Sequence, residues 1–333
     1  MLIRRPRTTG VPFWAFPLGT LVVLLLATAV GEYQLSVLTR ALILGLLALS
    51  VNLAWGYTGI FTIGNAVFFG AGAYTVALLN TRHGLSQLVV LLPLALAAGA
   101  AVALVLGLFL FGRRRVSEMY VALVTLAIGY VATLAFNGWS AVGAANGISD
   151  IAYGVIGSFQ VGGGRPIYLL AVLVFVLGLF ITAWLAGSQF GLVMKAVRDD
   201  EERAEFLGYP RARVQVLVFT FSGAMAGLAG GTFAMEEGFA APTTMSVSMS
   251  IMALLYVILG GRGTLIGPIL GVALLEVAGR AVQDRFPTQW PIIISALLVL
   301  CVLVLPRGLA GVVGRLRRRT GPRDSSGLEV FHA

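Results

Sequence analysis

The residues that could do chemistry are few, and their spacing does not suit it. Of 333 residues two are histidine (His83 and His332), one is cysteine (Cys301) and one is lysine (Lys195). A Walker-type phosphate cradle needs glycines leading to Gly-Lys-Ser/Thr, because that lysine reaches the terminal phosphates. Lys195 instead follows Met194 and precedes Ala196. Neither histidine has a partner at ligand spacing for a metal or for a nucleophile and its base. The single cysteine excludes an intrachain disulfide and sits in an apolar run, where it reads as a small core residue. The expectation is a chain with no catalytic residue, no metal site and no cofactor of its own.

Charge collects in one place. The stretch MKAVRDDEERAEFLGYP, residues 194–210, holds five of the fourteen carboxylates and the lysine. Asp199 or Asp200 can cap a helix, Glu201 and Glu202 fill its first turn, and Gly208 with Pro210 ends it. A two-turn helix is predicted, with Ala204, Phe206 and Leu207 giving it a small apolar surface. Such a helix can lie flat and dock against a partner. The competing reading is a solvated connector.

What surrounds that stretch is apolar. Hydrophobic residues make up 58% of the chain, charged residues 11%, and the mean hydropathy is +0.94. This composition belongs to an integral membrane protein. A bilayer core of roughly 30 Å needs about 20 apolar residues per helical span. Ten windows can be drawn: 13–30, 37–54, 63–79, 88–111, 118–136, 166–186, 213–236, 246–260, 264–280 and 290–306. The third, eighth and ninth are short, as half-spans or re-entrant segments are, so the expected fold is an all-α polytopic membrane protein of about ten, or eight to ten, transmembrane helices. The domain division is a segment 1–12, one transmembrane domain 13–306 with a charged loop 188–212 and a Gly-, Asn- and Ser-rich loop 137–165, and a basic tail 307–333. Residues 1–30 also resemble a signal peptide, with small residues at Ala27-Thr28-Ala29, but the apolar stretch is long enough to favour a retained span.

The net charge of +9 gives orientation rather than a nucleic-acid partner. With the N-terminus inside, the inner segments hold 18 of the 23 basic residues, among them Arg113 to Arg115, Arg198, Arg262 and six from Arg307 to Arg323. The outer segments hold Arg40, Arg82, Arg165, Arg280 and Arg285. Both termini are therefore expected in the cytoplasm. Ion-coupled carriers keep ionisable groups within the membrane. Here Glu276 stands four residues before Arg280, the spacing of a mutual ion pair, and Glu118, Glu236 and Glu237 fall at span ends. That scarcity argues against an ion-coupled secondary transporter and for an energy source outside the chain.

Several ordered motifs resemble those of one family. EERAEFLG, residues 201–208, resembles the cytoplasmic coupling loop of bacterial ABC importer permeases, with Glu202, Ala204 and Gly208 matching and Arg203 replacing an alanine. SVNLAWGYTGIFTIGNAVFFGAGAYTVALL at 50–79, AMAGLAGGTFA at 224–234, LLYVILGGRGTLIGPILGVALLE at 254–276 and LVLPRGLAGVV at 303–313 are similar to signatures of branched-chain amino acid permeases. The resemblance covers roughly residues 40–313. It implies a permease subunit in a bacterial cytoplasmic (inner) membrane, paired with a second homologous permease. It further implies two cytoplasmic ATPase subunits, which bind ATP and Mg, and an extracytoplasmic solute-binding protein that delivers leucine, isoleucine or valine. A urea or simple-sugar permease of the same broad family is the nearest alternative.

On that resemblance Arg198, Asp199, Asp200, Glu201, Glu202, Ala204 and Gly208 form the ATPase-coupling loop, and Arg262 is a candidate contact beside it. The segment Asn52, Gly56, Thr58, Gly59, Thr62, Gly64 and Asn65 carries two readings. Its glycines, with Gly70 and Gly72 beyond them, let helices pack closely, or its polar groups Asn52, Thr58, Thr62 and Asn65 line a wet passage for a zwitterion. The segments GYTGIFTIG and GGRGTLIG share an Ile-Gly step, a faint internal repeat.

Overall fold

The computed structural model describes residues 15–26, 28, 31–112 and 116–286, with isolated positions up to 309. Residues 1–12, Arg113 to Arg115, Cys301 and all but a few positions of the tenth apolar window and the basic tail lie outside the described residues. Helices account for nearly all the regular structure: α1 (Ala15–Leu26), α2 (Glu32–Val51), α3 (Asn65–His83), α4 (Leu88–Phe111), α5 (Glu118–Gly138), α6 (Arg165–Gly187), α7 (Gln189–Asp199), α8 (Glu201–Phe206), α9 (Arg211–Glu237), α10 (Val247–Gly260), α11 (Ile266–Val272) and α12 (Gly279–Arg285). Among the described residues five are long and apolar enough to cross a membrane: α2 with its π-helical extension to Tyr57, α4, α5, α6 and α9. In a bilayer only structures that satisfy their own backbone groups span, so this composition resolves into helices.

The post of the fold is α9, buried along most of its length and packed by α2, α3 and α4. Its sequence explains why. Gly223, Gly227 and Gly231 recur every fourth residue and meet Ala95, Gly99 and Ala103, which have the same spacing on α4. Lipid offers apolar groups no incentive to associate, so close backbone approach across small residues is what holds such helices. A methyl at Gly227 would fall 2.5 Å from the Ala95 carbonyl oxygen and 2.8 Å from Gly99 Cα. Gly72 of α3 faces the Gly227 carbonyl from the other side, and Gly230 lies against the Phe69 carbonyl. The close-packing reading of the glycine-rich motifs therefore holds at this seam. Around it Phe68 and Phe111 meet Phe219 edge-on, at centroid distances of 5.2 and 5.7 Å.

The helices break in three places. After α2 the chain runs through a π-helical turn, Asn52–Tyr57, leaves the helix at Gly59 (φ 81°), and stays non-helical until α3 begins at Asn65. Beyond α9, Gly238 (φ 66°) and a short 3-10 turn, Pro242–Met245, lead into α10, which has only 14 residues. A turn at 261–265 joins α10 to α11, which passes through a second π-helical segment, Ala273–Ala278, into α12. The third, eighth and ninth windows thus become, respectively, a full 19-residue helix entered through a break, a half-length helix, and a helix interrupted by a π-turn.

The loop 137–165 is more ordered than an irregular surface loop. It holds an antiparallel hairpin, β1 (Gly154–Ile156) with β2 (Phe159–Val161), closed by Gly157 at φ 64°. Three-residue strands carry too little alternation to be legible. The loop is attached to the bundle by mutual pairing of Ile148 with Ala240, at 2.8 and 2.9 Å, by the Val155 N–H donating to the Ser86 carbonyl at 2.6 Å, and by the Asn80 amide pairing with the backbone of Ala152.

Candidate coupling site and polar break

Asp200, rather than Asp199, caps α8: its Oδ1 accepts from the backbone N–H groups of Glu202 and Arg203, both at 3.1 Å. Asp199 instead accepts from Arg198 Nε and Nη2 at 3.1 and 3.0 Å. Gly208 takes the left-handed conformation, φ 86°, and the Tyr209 N–H closes back onto the Ala204 carbonyl at 3.0 Å. That is the glycine-dependent stop that satisfies a helix's last carbonyls. The predicted two-turn helix is a six-residue one, Glu201–Phe206.

One ionic cluster fastens it. Arg211, the first residue of α9 and only 5% exposed, donates to Glu201 at 3.0 Å and to Glu205 at 3.3 Å, and Gln215 Nε2 donates to Glu201 at 2.8 Å. The Glu201 and Glu205 carboxylates are each more than a third exposed, so solvent screens the pairs and geometry counts for more than energy. The cluster fixes α8 to the end of α9. Ala204 does not share the exposed apolar surface expected of it; it is buried toward the bundle, whereas Phe206 (88% exposed) and Leu207 point outward.

A second tie runs to α2. Arg198 Nη1 donates to the Gly56 carbonyl at 2.8 Å, and Gly59 lies under the Arg198 side chain. Asn52 clamps the 261–265 turn with both ends of its amide: Nδ2 to the Thr264 carbonyl at 2.9 Å, and Oδ1 from the Gly263 N–H at 2.8 Å. No side chain fits at Gly56, whose Cβ would meet Asn52 Oδ1 and lie 2.5 Å from Gly263 N. The two Ile-Gly segments thus touch. Arg262, exposed, lies over the Trp55 ring, 5.4 Å from its centroid.

The seven residues of the polar segment therefore divide. Asn52, Gly56 and Gly59 belong to the junction beside α7. Thr58 is buried, and its hydroxyl turns back to the Leu53 carbonyl at 3.5 Å. Thr62, Gly64 and Asn65 form the break before α3. There Thr62 Oγ1 accepts from Gly64 N at 3.2 Å, Thr125 Oγ1 of α5 accepts from Ile63 N at 3.1 Å, and Ser250 Oγ of α10 accepts from Ala66 N at 3.0 Å. Asn52, Thr58, Thr62 and Asn65 are all buried.

Sequence reasoning missed the charge at the far end. Arg40 pairs with Glu237 and approaches Glu276 at 4.0 Å, Arg280 lies 3.8 Å from Glu276, and the Tyr256 hydroxyl donates to Glu276. The Glu276–Arg280 pair is present but is one edge of a network that spans α2, α9, α10, the second π-helical segment and α12. Partners 197 residues apart leave no spacing signal.

Comparison with known proteins adds the family. The model for "Branched-chain amino acid transport system / permease component" matches residues 33–304. The high-affinity branched-chain amino acid transport system permease proteins LivM of Salmonella typhimurium and Escherichia coli are each 32% identical over 304 residues, covering 84% of this chain and 70% of theirs. The autoinducer 2 import system permease protein LsrC of Salmonella paratyphi B is 34% identical over 151 residues, 43% of each chain. No solved structure matches. With most of the chain covered, including the capped α8 and the glycine seam of α9, this protein belongs to the branched-chain amino acid transport system permease family.

Proposed function

We propose that the chain is one membrane-spanning subunit of an ATP-driven ABC importer that carries branched-chain amino acids delivered by a solute-binding protein. The observation that carries the reading is the 32% identity to LivM over 84% of the chain. Supporting it is a short capped helix, α8, whose exposed Phe206 and Leu207 sit beside charged groups rather than in a lipid-facing run. In this reading α8 faces the cytoplasm, both termini lie on that side, and about ten spans cross the bacterial inner membrane. The partners are a second homologous permease and two ATPase subunits that bind ATP and Mg.

The mechanism follows from the two ties. Closure of the ATPase pair pushes α8; Arg211 passes that displacement to α9, and Arg198 passes it to the Gly56 carbonyl and so to the break before α3. Such a pull biases an equilibrium between inward-open and outward-open packings, which is how a ligand or partner drives a conformational change. The test is ATP-dependent uptake of labelled leucine into proteoliposomes holding this chain with its ATPase, second-permease and binding-protein subunits. Leucine uptake is expected. Neither uptake nor ATPase stimulation by any loaded binding protein would overturn the importer reading and bring back an ion-coupled carrier.

The LsrC similarity favours one other solute class, since it covers nearly half the chain. ATPase stimulation by an autoinducer 2-loaded binding protein without leucine uptake would select it. A further expected result concerns Arg262. Arg262→Ala should lower binding-protein-stimulated ATPase activity severalfold at unchanged membrane insertion, because its guanidinium is held at the docking face by the Trp55 ring, a contact of about 0.5–1 kcal/mol. Unchanged stimulation would remove Arg262 from the ATPase contact.

A further inference from the structure

Asn65 is fully buried, yet neither its Nδ2 nor its Oδ1 has a hydrogen-bond partner among the described residues. A carboxamide brings two donor hydrogens and an acceptor oxygen, and buried groups of that kind are nearly always paired because an unpaired one is costly. Three other deeply buried polar side chains near it, Thr62, Thr125 and Ser250, all have partners. Among these side chains around the break, Asn65 is thus the one left without a partner. Which end of the amide is nitrogen does not matter, since both ends lack a partner.

Its position gives the orphan a use. Asn65 is the first residue of the 19-residue helix α3, whose N-cap, Gly64, supplies no side-chain cap. Helical Cα–Cβ bonds tilt toward the N-terminus, so the short amide lies at the positive end of the helix. The first turn of α10 meets the same place through Ser250, ten residues before that helix ends at Gly260, or about 15 Å of helical rise. Half of a bilayer core is about the same distance. The break before α3 thus sets a helix N-terminus and an unsatisfied amide about half a bilayer core from the end of α10, walled by hydroxyls rather than by charge.

We infer that Asn65 and the N-terminal end of α3 receive the main-chain carboxylate and ammonium groups of the transported amino acid. Nδ2 donates to the carboxylate, whose negative charge the helix end favours, and Oδ1 accepts from the ammonium. A zwitterion satisfies both orphaned ends of the amide at once, which an apolar solute or a simple cation does not. Discontinuous helices use their N-terminal ends in this way toward anionic substrate groups. The inference deepens the proposed amino-acid import and rests on it.

The test uses the assembled importer in proteoliposomes, with labelled leucine as the probe, and compares wild type with Asn65→Leu and Asn65→Asp. Loss of a hydrogen bond to a charged group corresponds to about a tenfold loss or more, so both variants should import leucine at least about tenfold more slowly. Asn65→Asp, which adds a negative charge where the carboxylate must sit, should be the slower of the two. Asn65→Leu should unfold at the same temperature as wild type or higher, because it replaces an unpaired buried amide by an apolar group of similar size. That separates a transport role from a structural one.

Uptake by Asn65→Leu within twofold of wild type would overturn the inference while leaving amino-acid import standing. Faster uptake by Asn65→Asp would overturn it too, by showing that the site prefers a cation. Absence of leucine uptake by the wild-type complex would instead defeat the amino-acid reading itself, and this inference with it.

Discussion

Gly227→Leu is expected to leave little or no folded protein recoverable from detergent. The side chain has nowhere to go: its Cβ would press on the Ala95 carbonyl oxygen and the Gly99 backbone of α4, while the Gly227 carbonyl is already faced by Gly72 of α3. Flexible side chains can yield to an added methyl, but the backbone of two flanking helices cannot yield without parting. Overpacking of a well-filled core costs about 1–3 kcal/mol even where side chains can shift. With backbone on both sides the cost should reach the upper end of that range or exceed it. Size-exclusion chromatography of the solubilised protein reads the result, with Gly138→Ala as the control. No heavy atom lies within 4 Å of a Cβ at Gly138, and that variant should behave as wild type. A monodisperse Gly227→Leu protein would show that the α4–α9 seam is not the closure of the bundle.

The second large effect is on coupling rather than folding. Gly208→Pro should abolish ATP-dependent uptake while the protein still inserts and purifies. Gly208 sits at φ 86° and its N–H donates to the Glu205 carbonyl at 2.9 Å. Proline is fixed near φ −65° and has no N–H, so it forbids the conformation and deletes the bond together. The last turn of α8 then unwinds, and the Glu205 contact with Arg211 goes with it. The α4–α9 seam is untouched, since a Cβ at Gly208 would meet no heavy atom within 4 Å. Glu202→Arg should also stop uptake, by reversing charge in the first turn of α8, where the helix dipole favours a carboxylate. ATP-dependent uptake in proteoliposomes near the wild-type rate for both variants would refute the coupling role of residues 188–212.

What the sequence made legible was whatever depends on local pattern. Apolar windows gave the positions of α2, α4, α5, α6 and α9 within a few residues, because a helix in lipid must be long and apolar by itself. The capped α8 was legible for a similar reason: Asp200, the glutamates and Gly208 each act within one or two turns. The small-residue seam was visible as glycine content but not as partner choice. Gly223, Gly227 and Gly231 advertise a close approach, yet nothing local says that the neighbour is Ala95, Gly99 and Ala103. The polar segment from Asn52 to Asn65 was read as one surface because its residues are adjacent. The π-turn and the break at Gly59 separate them, so Asn52 clamps a turn at one end of the bundle while Asn65 lies deep inside it. The Arg40, Glu237 and Glu276 network was hidden because its members come from distant stretches and meet only once α2, α9 and the π-helical segment Ala273–Ala278 are packed.

The π-turn at Asn52–Tyr57 makes this region depend on length as much as on composition. Such a turn carries one residue more than the α-helix it interrupts, and in an α-helix each residue advances the chain by about 100°. Removing one of residues 53 to 55 would restore ordinary winding and turn all that follows by that angle. The Gly56 carbonyl would leave Arg198, and Gly56 would turn away from Gly263, though every one of those residues remained. The junction is thus encoded partly in a count of residues, and a one-residue deletion here would damage it more than many substitutions at exposed positions nearby.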